Sequence, residues 1–295
     1  MAWSFADVPD QSGRVCIVTG SNTGLGLSNA RMLAEKHATV VMACRSLDKA
    51  NAAAAGIRAA VPGADVRVSE LDLSSLASVR AFAARFASEF DRLDILINNA
   101  GVMMPPRTIT ADDFELQFEA NYLGHFLLTG LLLSLITKTP GSRVVSLSSI
   151  AHRSGKIDFD NLNAERGFSR WPSYAQSKLA CMMFGLELQR RLEKTGSTTV
   201  SLIAHPGGTN TELSRHVTLI GAFGALFAQS VDAGSLPTLR AAVDPHARGG
   251  EYYGPAYFRF RGPAVLETPR SQALDKDVAA QLWSVSEKLA GIKYL

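Results

Sequence analysis

The chain has 295 residues, of which 46% are hydrophobic and 19% charged, and its 30 basic and 27 acidic residues leave a formal charge of +3. That length and apolar content suit one domain with a sizeable core. Charges of both signs are mixed along the sequence, with no basic stripe or acidic tail, which argues against a nucleic-acid partner.

Short β-branched runs alternate with Ala- and Leu-rich stretches. RVCIVT (14–19), TVVMAC (39–44), DVRVSEL (65–71), LDILIN (93–98), SRVVSLSS (142–149) and TTVSLIAH (198–205) predict strands buried on both faces. Residues 24–36, 47–60, 75–89, 112–137 and 173–194 predict helices, none interrupted by proline. Repeated βαβ units of this kind imply an α/β fold with a parallel, doubly wound sheet flanked by helices. From 213 to 237 an apolar, glycine-containing segment breaks the rhythm, as a lid or insertion does. Residues 249–263 then suggest one last strand between turns, and 271–290 a closing helix.

Cys16, Cys44 and Cys181 lie far apart within apolar runs. That is the pattern of reduced core thiols, which points to a cytoplasmic setting. The opening MAWSFADVPD has no basic or long apolar region, and the apolar runs 131–136 and 217–228 are shorter than a bilayer span, so a soluble protein without a transmembrane segment is expected.

Directly after the first strand comes Thr19-Gly20-Ser21-Asn22-Thr23-Gly24-Leu25-Gly26, opening a helix. Backbone N–H groups and the helix dipole meet there, where a pyrophosphate is well held, and glycine leaves the approach clear. A tight turn alone would also use such glycines. The second strand ends in Cys44-Arg45-Ser46, where a fold selecting NAD would place an acid on the ribose 2′-hydroxyl. Arg45, with Ser46 beside it, instead offers a cation to a 2′-phosphate, although a solvated arginine at a strand end reads the same way. Asp72-Leu73 follows the third strand and Asn98-Asn99-Ala100-Gly101 the fourth, both at strand ends where ligands bind in open α/β sheets.

The chemistry centres on Ser149 at the end of the fifth strand and on Tyr174 and Lys178, four residues apart on one helical face. A phenol titrates near pH 10, so a neighbouring ammonium is needed for it to exchange a proton near neutrality. Lys178 supplies that field. Ser149 is placed to hydrogen-bond a substrate oxygen as charge develops there. Ser148 competes for the role, but alternation along a strand lets only one of the pair face the site.

The glycine loop, NNAG, Asn121 in NYLGHF, YAQSK and His205-Pro206-Gly207 occur in the order and spacing of the short-chain dehydrogenase/reductase family, and the resemblance runs along nearly the whole chain. It implies a single Rossmann-type domain over 1–295, with 213–237 as lid or substrate segment, and an NADP(H)-dependent enzyme acting on a carbonyl or alcohol. By the same resemblance, Asn121, Ser149, Tyr174 and Lys178 match the catalytic tetrad, with Asn121 anchoring a water of the proton relay. Gly20, Gly24 and Gly26 match the phosphate loop, together with Ser21, Asn22, Thr23 and Leu25. Arg45 and Ser46 match the NADP-selecting site, while Asp72, Leu73, Asn99, Ala100 and Gly101 match the adenosine side. Pro206, Gly207, Thr209 and Thr211 match the carboxamide side, and Tyr174 and Lys178 also reach the nicotinamide ribose. A homodimer or homotetramer is implied as well.

The long segment between Ser149 and Tyr174 resembles that of the retinol dehydrogenase-like subgroup and its WW-domain oxidoreductase relatives. The apolar run 217–227 reads equally as a core helix or as a lid over a lipophilic aldehyde, ketone, retinoid or steroid. Six histidines show no metal-ligand spacing, and the chemistry needs no metal. Two other readings use similar parts: a cofactor-binding sensor or scaffold without turnover, and a reductase of C=C or imine bonds.

Overall fold

A computed structural model describes residues 2–208 and 229–295. Eight strands are present among them: β1 (Val15–Thr19), β2 (Thr39–Cys44), β3 (Val66–Glu70), β4 (Ile95–Asn98), β5 (Arg143–Leu147), β6 (Val200–Ala204), β7 (Tyr252–Tyr257) and β8 (Arg261–Glu267). The described helices are α1 (Gly24–Glu35), α2 (Leu47–Ala60), α3 (Leu76–Glu89), α4 (Leu116–Lys138), α5 (Arg170–Lys194), α6 (Val231–Val243) and α7 (Lys276–Ala290). The strands form one sheet in the order β3-β2-β1-β4-β5-β6-β7-β8, parallel except for β8. Strand order reverses between β1 and β4, so a crevice opens at their C-terminal ends.

Alternation along each strand divides the core in two. On β1, Ile17 joins Phe82 of α3, Phe126 of α4, Leu179 of α5 and Trp283 of α7. Cys16 and Val18 point the other way, to Leu33 of α1, Ile57 of α2 and Leu239 of α6. Each of these side chains is nearly or wholly excluded from water, which is why the strands read as unbroken apolar runs. Cys16, Cys44 and Cys181 are buried, unpaired thiols.

Four expectations change. β3 was read as buried on both faces, but it is the sheet's edge, and of its five residues only Val66 is buried. The single strand expected near 249–263 is a hairpin of β7 and β8. Its turn uses Phe258 and Arg259 in the left-handed region (φ 53° and 62°), without the glycine or asparagine that announces such a turn in sequence.

The segment 213–237 divides: from Val231 it is the start of α6, capped by Ser230, whose hydroxyl accepts the Ala233 N–H at 3.2 Å. Residues 213–228 of that segment, which include 217–227, lie outside the described residues. Finally, α4 is long and apolar enough to cross a bilayer, although His125, Thr129 and Ser134 divide its apolar runs in the sequence. Its most apolar stretch has mean hydropathy 1.4 and is 67% buried inside the protein, as a core helix is.

Candidate active site

The glycine loop is set by how closely backbones approach. Gly20 and Gly24 have positive φ (63° and 56°), and a Cβ on Gly20 would lie 2.8 Å from Ala100 Cβ. A Cβ on Gly26 would meet Gly20 O at 2.5 Å and Asn99 Nδ2 at 2.6 Å, so even alanine there would push the loop off β4. Above it lies a cleft of about 300 Å³. Gly20, Asn22 to Gly26, Arg45, Ser46, Asp72, Leu73 and Asn99 to Gly101 all line it.

Not every expected residue joins them. Ser21 is fully buried, and its hydroxyl donates to Val18 O at 2.9 Å, away from the cleft. Pro206 and Gly207 follow β6 and are absent from the cleft lining. Gly207 (φ 68°) backs onto the Phe260 backbone, and its N–H donates to Nδ1 of His205, whose Nε2 lies 3.0 Å from Glu267 Oε1. Thr209 and Thr211 lie outside the described residues.

Arg45 is exposed at the cleft's far end and makes no ion pair among the described residues. Lys49, in the first turn of α2, lines the same end and was missed in the sequence, although i, i+4 spacing from Arg45 was a usable signal. Asp72 folds locally: its Oδ1 accepts from Ser74 N at 2.9 Å and from Ser74 Oγ at 2.6 Å. Asn99 Nδ2 donates to Thr19 O at 2.7 Å, tying β4 to the start of the glycine loop.

A second feature the sequence did not announce lies beneath. Thr19 Oγ1 accepts the N–H groups of Asn99 and Ala100, each at 2.9 Å, and sits 2.9 Å from His125 Nε2. His125 Nδ1 lies 3.0 Å from the Asn121 carbonyl, which only accepts, so Nδ1 carries the proton and Nε2 accepts from the Thr19 hydroxyl. Burial, the largest cause, pushes His125 down to about 4, in keeping with this neutral ring.

Asn121 occupies a widened turn of α4 over Glu119–Leu123, where the Gly124 N–H reaches Glu119 O. Its side-chain amide makes three hydrogen bonds. Nδ2 donates to Val102 O and Ser177 Oγ, both at 2.9 Å, while Oδ1 accepts the Val102 N–H at 2.7 Å. Its carbonyl also takes the Cys181 thiol at 3.2 Å. The side chain thus acts as a strut between α4, α5 and the loop after β4. In the same turn burial pushes the Glu119 carboxyl up to about 7, with Asp112 and Asp72 acting in the same direction.

The chemical end is assembled from α5 and the end of β5. Ser148 is buried and donates to the Lys178 carbonyl at 2.8 Å, so its hydroxyl is spent on packing. Ser149 is half-buried at the head of a short helical turn, where its Oγ accepts the Ala151 N–H at 3.2 Å and keeps its own proton for another acceptor. Lys178 donates to Leu147 O at 3.2 Å and holds its ammonium 6.0 Å from the centre of the Tyr174 ring. A Cβ on Gly101 would come within 3.4 Å of that ammonium, so Lys178 abuts the wall of the cofactor cleft.

Comparisons with known proteins bear on the fold and the family. A family model described as short chain dehydrogenase matches residues 14–219. Human retinol dehydrogenase 13 is 41% identical over 98% of this chain and 87% of its own, and human retinol dehydrogenase 12 is 42% identical over 96% and 88%. A crystal structure of an uncharacterized protein from Mycobacterium paratuberculosis superposes with a TM-score of 0.85 at 40% identity, each chain covered in full. The chain belongs to the short-chain dehydrogenase/reductase family of oxidoreductases and, within it, to the retinol dehydrogenase-like subgroup.

Proposed function

We propose that the protein is an NADP(H)-dependent oxidoreductase that interconverts a carbonyl and an alcohol on a lipophilic substrate, with Tyr174 as the acid and base. One observation carries this reading. Lys178, its ammonium 6.0 Å from the Tyr174 ring centre, abuts through Gly101 a cleft whose opposite end holds Arg45 and Lys49 without a carboxylate partner among the described residues. Two cations suit the 2′-phosphate of NADP, and the crowding at Gly20 and Gly26 suits a pyrophosphate laid against bare backbone. When bound, the cofactor supplies or accepts the hydride.

The remaining work falls to the chain. Ser149 donates its hydroxyl hydrogen to the substrate oxygen, steadying the charge that builds as the carbon is reduced. Tyr174 gives its proton to that oxygen in reduction and takes it back in oxidation. The Lys178 ammonium stabilises the tyrosinate between these steps. Asn121 holds the loop that carries Gly101 and Val102 against them. The relatives' name, retinol dehydrogenase, supports a retinoid-like alcohol or aldehyde as the substrate class. Three buried, unpaired thiols favour a reducing, cytoplasmic compartment.

Thermal shift with NADPH and with NADH, followed by turnover of lipophilic aldehydes with the better cofactor, tests the proposal, because a ligand bound to the native state raises its stability. Greater stabilisation by NADPH and turnover of retinal or a long-chain aldehyde are expected. A preference for NADH, or no turnover of any carbonyl, would overturn it.

A further inference from the structure

Beside Tyr174 lies an apolar surface that the cofactor cleft does not use. Met103 and Met104, from the loop after β4, pack against the cluster of Ala151, Tyr174 and Ala175. Trp171, one turn before Tyr174 on α5, has its ring centre 6.1 Å from that of Tyr174 and remains 45% exposed. Its indole thus adds open apolar surface next to the reactive phenol.

The backbone beneath this surface is held in an unfavourable conformation. Met104 has φ 51°, a left-handed geometry that a side chain this size seldom adopts. A chain of buried polar groups enforces it. The Met104 N–H donates to Gln117 Oε1 at 2.8 Å, and Gln117 Nε2 reaches Glu115 Oε1 at 3.4 Å. The other Glu115 oxygen accepts the Phe118 N–H at 3.0 Å and so caps α4. Gln117 and Glu115 are excluded from water, so the lock is rooted in the core rather than in the loop. Strain maintained in this way beside a reactive residue fixes side chains that have a task there.

We propose that Met103, Met104 and Trp171 form the wall along which the apolar body of the substrate lies, and that this wall prefers flat, unsaturated groups to saturated ones of equal length. The inference rests on the oxidoreductase reading and sharpens its substrate class. Thioether sulfur and indole are polarisable, and both gain more against a π-system than against a saturated ring, while methionine's flexible chain follows the shape presented.

Phenyl-terminated and cyclohexyl-terminated alkanals with the same linker carry identical carbonyls and differ only at the far end. With saturating NADPH, kcat/KM should favour the phenyl compound by about three- to tenfold in the unmodified protein. In the double variant Met103→Leu/Met104→Leu, and in Trp171→Leu, that ratio should fall toward one, each variant being normalised to propanal, which is too short to reach the wall. Calorimetric binding of the corresponding primary alcohols to the protein–NADPH complex should show the same preference without requiring turnover. A ratio near one in the unmodified protein, or a preference that survives all three replacements, would overturn the wall. Absence of turnover with every aldehyde, alongside a preference in binding that the leucine variants abolish, would uphold the wall and strike the oxidoreductase reading alone.

Discussion

The two ends of the site are built by different means. At the nucleotide end the backbone decides: Gly20 and Gly26 lie where any Cβ would collide with Ala100, Asn99 or the loop itself. At the chemical end side chains decide: Ser149, Tyr174, Lys178, Met104 and Trp171 come from three separated stretches, and buried polar groups fix their geometry. A backbone constraint dictates residue type and spacing together, whereas a side-chain constellation can be held by partners far away in sequence. The first kind of site tolerates almost no change at its glycines, and the second fails one function at a time.

Replacing the residue that touches both ends should have the largest effect. Lys178→Ala removes the ammonium beside Tyr174 and beside the cleft wall, so turnover should fall at least about 10²-fold and NADPH binding should weaken as well. Steady-state kinetics and a fluorescence titration read the two losses separately. Loss of turnover alone would confine Lys178 to the chemical end.

Arg45→Asp acts only at the nucleotide end. It should weaken NADPH by about ten- to a hundredfold in dissociation constant while leaving NADH nearly unaffected. Equal losses for both cofactors would make Arg45 a structural residue and shift the phosphate contact to Lys49.

His125→Leu tests the bridge between the ends. The Asn121 carbonyl, which keeps the Cys181 thiol, and the Thr19 hydroxyl, left with the Ile97 carbonyl at 3.4 Å, each lose a buried hydrogen bond, at about 0.5–1.5 kcal/mol apiece. A lower melting temperature is expected together with weaker NADPH binding, because Thr19 also holds the Asn99 and Ala100 N–H groups that line the cleft. A fall in melting temperature with cofactor affinity intact would leave the bridge a matter of packing alone.

The smallest effect is one of pH. Burial raises the Glu119 carboxyl in the folded protein to about 7 from its ordinary 4.5, so between those values the native state holds a proton that the unfolded chain has lost. Its contribution is therefore fully present below pH 4.5 and fades as pH rises through about 7. Denaturant unfolding at pH 5 and at pH 7.5 should show Glu119→Gln gaining on the unmodified protein at the higher pH. Parallel behaviour of the two would mean that Glu119 is ionised in the fold.

What the sequence made legible follows the same division. Six strands and the helices between them were readable because every strand but β3 in that half is buried on both sides, and burial imposes apolar composition. β3 was readable as a strand, but its place at the sheet's edge was not, although it is there that Arg67 and Glu70 are exposed. The hairpin escaped because Phe258 and Arg259 take a conformation that their residue types do not announce. The glycine loop was legible from local spacing, as was the Tyr174–Lys178 pair. Thr19 and His125 were not, since they stand 106 positions apart and only the fold brings them within 2.9 Å. Ser21 was misplaced for a related reason: a loop motif gives the order of its residues, but not which hydroxyl turns inward to Val18.

Tyr174→Phe is the most direct test of the central claim, because it deletes one oxygen from a ring that is 3% exposed and leaves the packing and the cofactor cleft in place. Single-turnover reduction of a lipophilic aldehyde and NADPH affinity should be measured on the same preparation. The account predicts that the rate falls about 10²- to 10⁴-fold while the dissociation constant for NADPH is unchanged. A near-normal rate in Tyr174→Phe would contradict the proton transfer assigned to Tyr174, and with it the proposed chemistry of the site.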